Sequence, residues 1–199
     1  DEITILLYDI DNNDSPGGVV GFFYTKDNLL NSYLTNISQP AYSNQRIMFY
    51  IDAVTYASDE GGTWEITDSW PREIISTLAH EFQHMIHFYQ KNVLRTNGIP
   101  SEIWINEMCS LVAEDLLANK IQLGNGPRGV AYNNGTAGGA GNTNGRLPLY
   151  NVWNDYSVNV WNNSLVNYSV AYAFGAYLAR NYGGTPLFQN IVQSAFTDH

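Results

Sequence analysis

Residues 78–89 read Leu78-Ala79-His80-Glu81-Phe82-Gln83-His84-Met85-Ile86-His87-Phe88-Tyr89, and this stretch decides both the fold class and the chemistry. Around it Ile74, Leu78, Phe82, Met85 and Tyr89 recur at steps of three and four, the period of one helix face. Pro71 suits a first helical turn, where its missing N–H costs nothing, and Asn97, Gly98 and Pro100 end the run. The sequence therefore predicts a helix over about 71–95. His80 and His84, four residues apart, project from one face one turn apart, opposite the apolar stripe and so away from the expected core. A lone histidine there would be a solvated residue, but two with a Glu between them can hold one zinc ion. Glu81 lies off the ligand row yet beside the open position of such an ion, where its carboxylate can take a proton from a bound water.

A catalytic zinc needs a third protein ligand. A metzincin pattern would continue with Gly and then His, and His87 and Gln90 stand in those places. The other route is a Glu from a following helix. Ser101 can cap a helix over about 102–119, and the 22 residues between His84 and Glu107 suffice to end one helix, turn and return antiparallel. Glu107 is the expected third ligand.

At these residues a family resemblance emerges. HEFQH (80–84) followed by WINEMCSLVAED (104–115) resembles the Glu-zincin (gluzincin, HExxH with a distal Glu) metallopeptidases, with a Trp-x-Asn-Glu segment as in the aminopeptidase N-like branch and Asn-Glu-x-x-Ser as in thermolysin. Together with LLYDIDN (6–12), it is most similar to the hyicolysin family of bacterial neutral metallopeptidases. The resemblance implies an α+β, two-lobed zincin-like catalytic domain over 1–199. Its N-terminal lobe, about 1–95, would pack a mixed sheet on the HExxH helix; its C-terminal lobe, about 96–199, would be mainly helical. It also implies action on peptide bonds.

Two departures qualify that likeness. Leu111 stands four residues after Glu107, where thermolysin-like enzymes carry an Asp that supports a zinc-bound His, so that role passes to Glu114 or Glu73 if these are not simply solvated helix-face charges. Nothing matches the Gly-x-Met-Glu-Asn strand with which aminopeptidases bind a free substrate N-terminus, which favours an endopeptidase. The segment 168–175 (YSVAYAFG) resembles the helix start from which related enzymes present a Tyr to the oxyanion; Tyr168 is the first candidate and Tyr172 the second, against aromatic packing.

The flanking sequence fits one domain. Residues 3–8 and 19–24 are β-rich runs separated by the turn-forming Asp9 to Gly18, predicting a strand pair, and 46–52 (RIMFYID) predicts a third strand. A polar, helix-compatible stretch runs to Gln39 and Pro40, a loop is expected over 58–69, and the Gly- and Asn-rich residues 124–145 predict a flexible surface loop. Helices are expected again over 167–181 and 186–196. An extended substrate would add as a strand to the sheet edge, at 46–52, by analogy at the level of fold.

Composition excludes several classes. The chain has 199 residues, 44 % hydrophobic and 14 % charged, too apolar for disorder. A formal charge of −10 repels nucleic acid and anionic membranes, and no stretch is long and apolar enough to span a bilayer. The chain opens at Asp1 without a leader, reading as a mature or trimmed segment, and its abundant Asn, Tyr and Gly with scarce Lys suit a secreted or cell-surface bacterial protein. Cys109 is the single cysteine, expected to be buried and structural. His87 is either a second-sphere group of the metal site or a plain surface histidine. Asp9, Asp11, Asn13 and Asp14 have the spacing of a calcium (Ca2+) loop, but its sixth-position Gly and twelfth-position Glu are missing, Val20 standing at the latter.

Zinc (Zn2+), held by His80, His84 and Glu107 with Glu81 as base, thus points to an endopeptidase acting on peptide or protein substrates. An extracellular binding or adhesion module with structural or vestigial zinc is the alternative, disfavoured by the presence of Glu81. A zinc hydrolase of non-peptide amides or esters would use the same residues.

Overall fold

The computed structural model describes residues 2–12, 14, 18–58, 70–95, 98–121 and 146–196. These form two compact units, Asp1–Met85 and Ile86–His199, with the division falling inside one helix. The expected loops over 58–69 and 124–145 lie, apart from Ser58, outside the described residues.

The first unit is built on a three-stranded mixed sheet in which β1 (Thr4–Tyr8) and β2 (Gly21–Phe23) flank β3 (Met48–Asp52). β1 runs parallel to β3 in the register Thr4 to Met48, and β2 runs antiparallel with Gly21 opposite Ile51. The expected pairing of the first two β-rich runs is therefore corrected: β3 lies between them. The reason is hydrophobic patterning, since Met48-Phe49-Tyr50-Ile51 is apolar on both faces and suits only a central strand, buried along its whole length. The same finding corrects the expected substrate edge at 46–52, because both sides of β3 are already hydrogen-bonded.

A 3-10 turn (Thr25–Asn28) and helix α1 (Asn31–Asn36) connect β2 to β3. Buried Asp27 ties this connection to the sheet, accepting from the Tyr50 hydroxyl at 2.5 Å and the Asn44 N–H at 2.8 Å. Burial, then the adjoining Asp27 carboxylate, push the Tyr50 pKa up to about 12. Helix α2 (Ala53–Ser58), which the sequence pattern does not announce, follows β3 directly. Asp52 nucleates it: its carboxylate accepts from Thr55 N–H at 2.8 Å, from the Thr55 hydroxyl, and from Ile10 N–H at 3.2 Å.

Helix α3 (Trp70–Phe88) continues into a π-helical turn (Tyr89–Val93), matching the predicted helix over 71–95. Its faces are used in the opposite sense to expectation. Phe82 and Tyr89 of the apolar stripe are 40 % and 49 % exposed, whereas His80 and Glu81 are 7 % and 5 % exposed, and Ser76, Thr77, His87 and Lys91 are buried with them. The narrow sheet covers only part of the apolar stripe, as where Phe82 meets Phe49 edge-on at 6.1 Å. The polar face is buried because hydrogen bonds offset its desolvation, among them Tyr56 to Thr77 at 2.5 Å.

In the second unit α4 (Ile103–Ile121), matching the predicted 102–119, forms the centre. Its Trp104, Ile105, Met108, Cys109, Leu111 and Val112 pack with Ala171, Tyr172 and Ala176 of α6 (Leu165–Asn181) and Phe188 and Val192 of α7 (Gly184–Gln193). Gly175 permits this approach: a Cβ there would stand 2.7 Å from Met108 Cγ and from Val112 Cγ2. Ser164 caps α6 reciprocally with Asn167, starting it two residues before the predicted point. Lys91, wholly buried, donates to the carbonyls of Ile191 and Ser194 at 2.9 Å each and of Phe196 at 2.6 Å, closing the C-terminal end of α7. Helix α5 (Arg146–Val152) has no counterpart in the sequence pattern.

Asp52 supplies a stability test with a defined sign. Burial opposes its ionised form, but the hydrogen bonds from Thr55, Ile10 and Val54 outweigh it and hold the pKa below its ordinary 3.8. The Asp52 contribution is therefore present above that value and lost as pH falls through the depressed folded value. Asp52→Ala is expected to lower unfolding free energy by about 0.5–2 kcal/mol near neutral pH, with the deficit shrinking in acid, measured by urea unfolding at a series of pH values.

Candidate metal centre

α3 determines the spacing of the first two ligand candidates. Four helical residues bring His80 and His84 onto one face, with ring centroids 4.7 Å apart, planes at 78° and Nε2 atoms 3.0 Å from each other. Two imidazole nitrogens on one tetrahedral ion at ~2.0–2.1 Å would stand about 3.3 Å apart. The pair is therefore near ligand spacing, with the two Nε2 atoms turned toward each other. Glu81 adjoins the pair and is itself buried.

Glu107 comes from the second turn of α4, whose start at Ile103 leaves it half-buried. One nitrogen from each histidine and one carboxylate oxygen of Glu107 all lie within 4.8 Å of one another, a group that could hold a metal ion. Two neutral imidazoles and one carboxylate suit a divalent borderline metal, zinc foremost. The set is thus chemically fit for the ion the sequence implies.

The other residues singled out in the sequence take varied places. Glu114 is wholly buried and pairs bidentately with Arg146 at 3.0 and 3.2 Å, which corrects the solvated helix-face reading. His87 is also buried, its Nε2 2.8 Å from Ser101 Oγ, so it is no surface histidine. Cys109 packs in the apolar core, and burial pushes its thiol up to about 12, leaving it protonated and a poor ligand. Tyr168 is half-buried, edge-on to Trp161 at 5.1 Å. Tyr172 is wholly buried, 5.8 Å from the Arg146 guanidinium; burial, then Asp115, push its pKa up to about 12. Asp14 N–H bonds to Asp9 Oδ2 at 3.0 Å, while Asn13 lies outside the described residues.

Pattern reading missed Arg146 and Arg180, which pair with the buried Glu114 and Asp115 of α4. Arg146 follows directly on the Gly- and Asn-rich stretch, where no periodicity marks it. The signal available was charge: the adjacent acids Glu114 and Asp115, set in a largely apolar run of the helix, require cationic partners.

Residues 1–199, the whole chain, match the family described as Peptidase M30. The chain belongs to the Peptidase M30 family. This bears out the resemblance carried by LLYDIDN, HEFQH and WINEMCSLVAED. Among relatives, the neutral metalloprotease ShpI of Staphylococcus hyicus is 27 % identical over 198 residues, an alignment covering 96 % of this chain and 38 % of that protein. The M30 chain thus spans well under half the length of the relative it matches. Among its described residues no helix is long and apolar enough to cross a membrane.

If the histidine pair is at ligand spacing only when folded, metal must stabilise the fold. Zinc at 100 times its dissociation constant is expected to add about 2.7 kcal/mol of stability, read as a chelator-reversible rise in Tm. His84→Ala should abolish the rise; a rise of equal size in that variant would remove His84 from the site.

Proposed function

We propose that this chain is the catalytic part of a gluzincin-type zinc endopeptidase with a zincin-like layout, acting on peptide or protein substrates outside the cell. The observation that carries the reading is the convergence of His80, His84 and Glu107 donor atoms beside the buried Glu81. A purely structural zinc would have no use for that carboxylate.

His80, His84 and Glu107 would hold the ion. Zinc, when bound, supplies Lewis acidity toward the scissile carbonyl and lowers the pKa of water. Glu81 accepts the proton of the attacking water on its carboxylate and delivers it to the leaving amine nitrogen. A tyrosine hydroxyl is the candidate donor to the developing oxyanion. Tyr168, partly exposed, has the more accessible side chain; Tyr172 has a proton that stays in place across the neutral range.

The peptide would bind extended, as an added strand. With β3 enclosed, β2 is the edge suited to this role. It crosses α3 at close range, since a Cβ on Gly21 would stand 2.8 Å from Thr77 Cγ2, and Thr77 is one helical turn before Glu81.

Incubation of the zinc-loaded chain with a diverse peptide mixture, read by mass spectrometry, is expected to yield internal cuts. Glu81→Gln should retain zinc and lose turnover by about 10²–10⁴-fold. Cleavage surviving in that variant would remove Glu81 as base; cuts confined to chain ends would make the protein an exopeptidase.

A further inference from the structure

His87 is a buried polar residue that the proposed chemistry does not use. On α3 it follows His80 and His84 by steps of four and three, so the three side chains fall within a sector of about 60°. The step from His84 to His87 is about 4.5 Å along the axis. Its Nε2 lies 2.8 Å from Ser101 Oγ, and Ser101 is two residues before α4 begins at Ile103. Glu107 is the fifth residue of that helix. The hydrogen bond therefore joins the last turn of α3 to the point where the chain turns into α4.

The position of the Glu107 carboxylate depends on how α4 starts. A shift of one residue at its first turn rotates every later side chain by about 100° and advances it by about 1.5 Å. Catalytic and ligand groups must be held to within roughly 0.5 Å of their working positions, so the start of α4 has to be pinned by something other than the ligand itself. The apolar residues of α4 fix its packing on α6 and α7, but a chain end that approaches through Gly98, Ile99 and Pro100, the last two exposed, gains little register from packing. The His87–Ser101 bond is buried on the histidine side, where leaving either partner unmade is costly.

We propose that His87 is a positioning residue for the metal centre: through Ser101 it sets the start of α4 and thereby the place of Glu107, without touching the ion. This rests on the assignment of Glu107 as third ligand. Loss of His87 leaves the end of α3 anchored independently, since Lys91 donates to the last carbonyls of α7 and Arg95 donates to the Gln193 carbonyl. The variants should accordingly remain folded.

The test uses the full chain, metal-free, titrated with Zn2+ alone against a chromophoric chelator, with Co2+ absorption as a readout of ligand geometry and thermal unfolding of the metal-free protein alongside. His87→Ala and Ser101→Ala are expected to weaken zinc binding by about 10–100-fold and to change the Co2+ spectrum. The double variant should be no worse than either single one, because both break one link. His87→Gln, whose amide can reach the Ser101 hydroxyl, should restore most of the affinity. Unchanged zinc affinity and Co2+ spectrum in His87→Ala and Ser101→Ala, with only a lower Tm, would overturn the proposal and leave His87 a packing residue. Glu107→Ala separates the two levels: undiminished zinc binding in that variant would sink the ligand assignment itself.

Discussion

The constraint on which the rest of this structure depends is the burial of a polar helix face. Ser76, Thr77, His80, Glu81, His87 and Lys91 of α3 and its π-helical extension are all largely withdrawn from solvent. In an apolar setting each would cost on the order of 1–3 kcal/mol without a partner, so the fold has to supply acceptors and donors along more than four helical turns. It does so differently at each level: Tyr56 meets Thr77, His80 and His84 face each other, Ser101 meets His87, and carbonyls at the end of α7 surround Lys91. A helix that must be satisfied in this way has little freedom to rotate or slide, which is what a ligand pair four residues apart requires.

The remaining architecture supports that helix from within each unit. In the first, a central strand buried on both faces carries Phe49 onto Phe82 and Asp52 onto the start of α2, while Gly21 lets β2 lie close over Thr77. In the second, the apolar stretch of α4 is clamped by α6 at Gly175, and its Glu114 and Asp115 are neutralised by Arg146 and Arg180. The Glu114–Arg146 pair joins the start of α5 to α4 with bidentate geometry, one of the stronger forms of such contact. Glu107 therefore sits on a helix held by packing on one side and further along by ion pairs to the buried acids Glu114 and Asp115.

Much of this was legible in the residues. The spacing of His80 and His84 and the Glu in WINEMCSLVAED sufficed to pick out three residues whose donor atoms come together, because helical geometry translates sequence distance directly into spatial direction. The three strands and the helices α3, α4, α6 and α7 were legible for the same reason, whereas the short α2 and α5 were not. Strand order was not: nothing local in 3–8 or 19–24 tells that 48–52 inserts between them, and only the two-sided apolarity of β3 hints at it. The burial of α3 was misjudged since periodicity shows that a helix has two unlike faces but not how many partners it has. His87, Glu114 and Cys109 lie in or close to HEFQH and WINEMCSLVAED, yet their surroundings include residues 14 or more positions away in the sequence.

The account stands or falls on what surrounds the metal. Zinc-edge X-ray absorption of the loaded chain measures this directly. The account predicts two imidazole nitrogens at ~2.0–2.1 Å with oxygen neighbours completing four-fold coordination, and no sulfur shell, as Cys109 is a protonated core residue. A sulfur shell near ~2.3 Å, or zinc with fewer than two imidazoles, would contradict it.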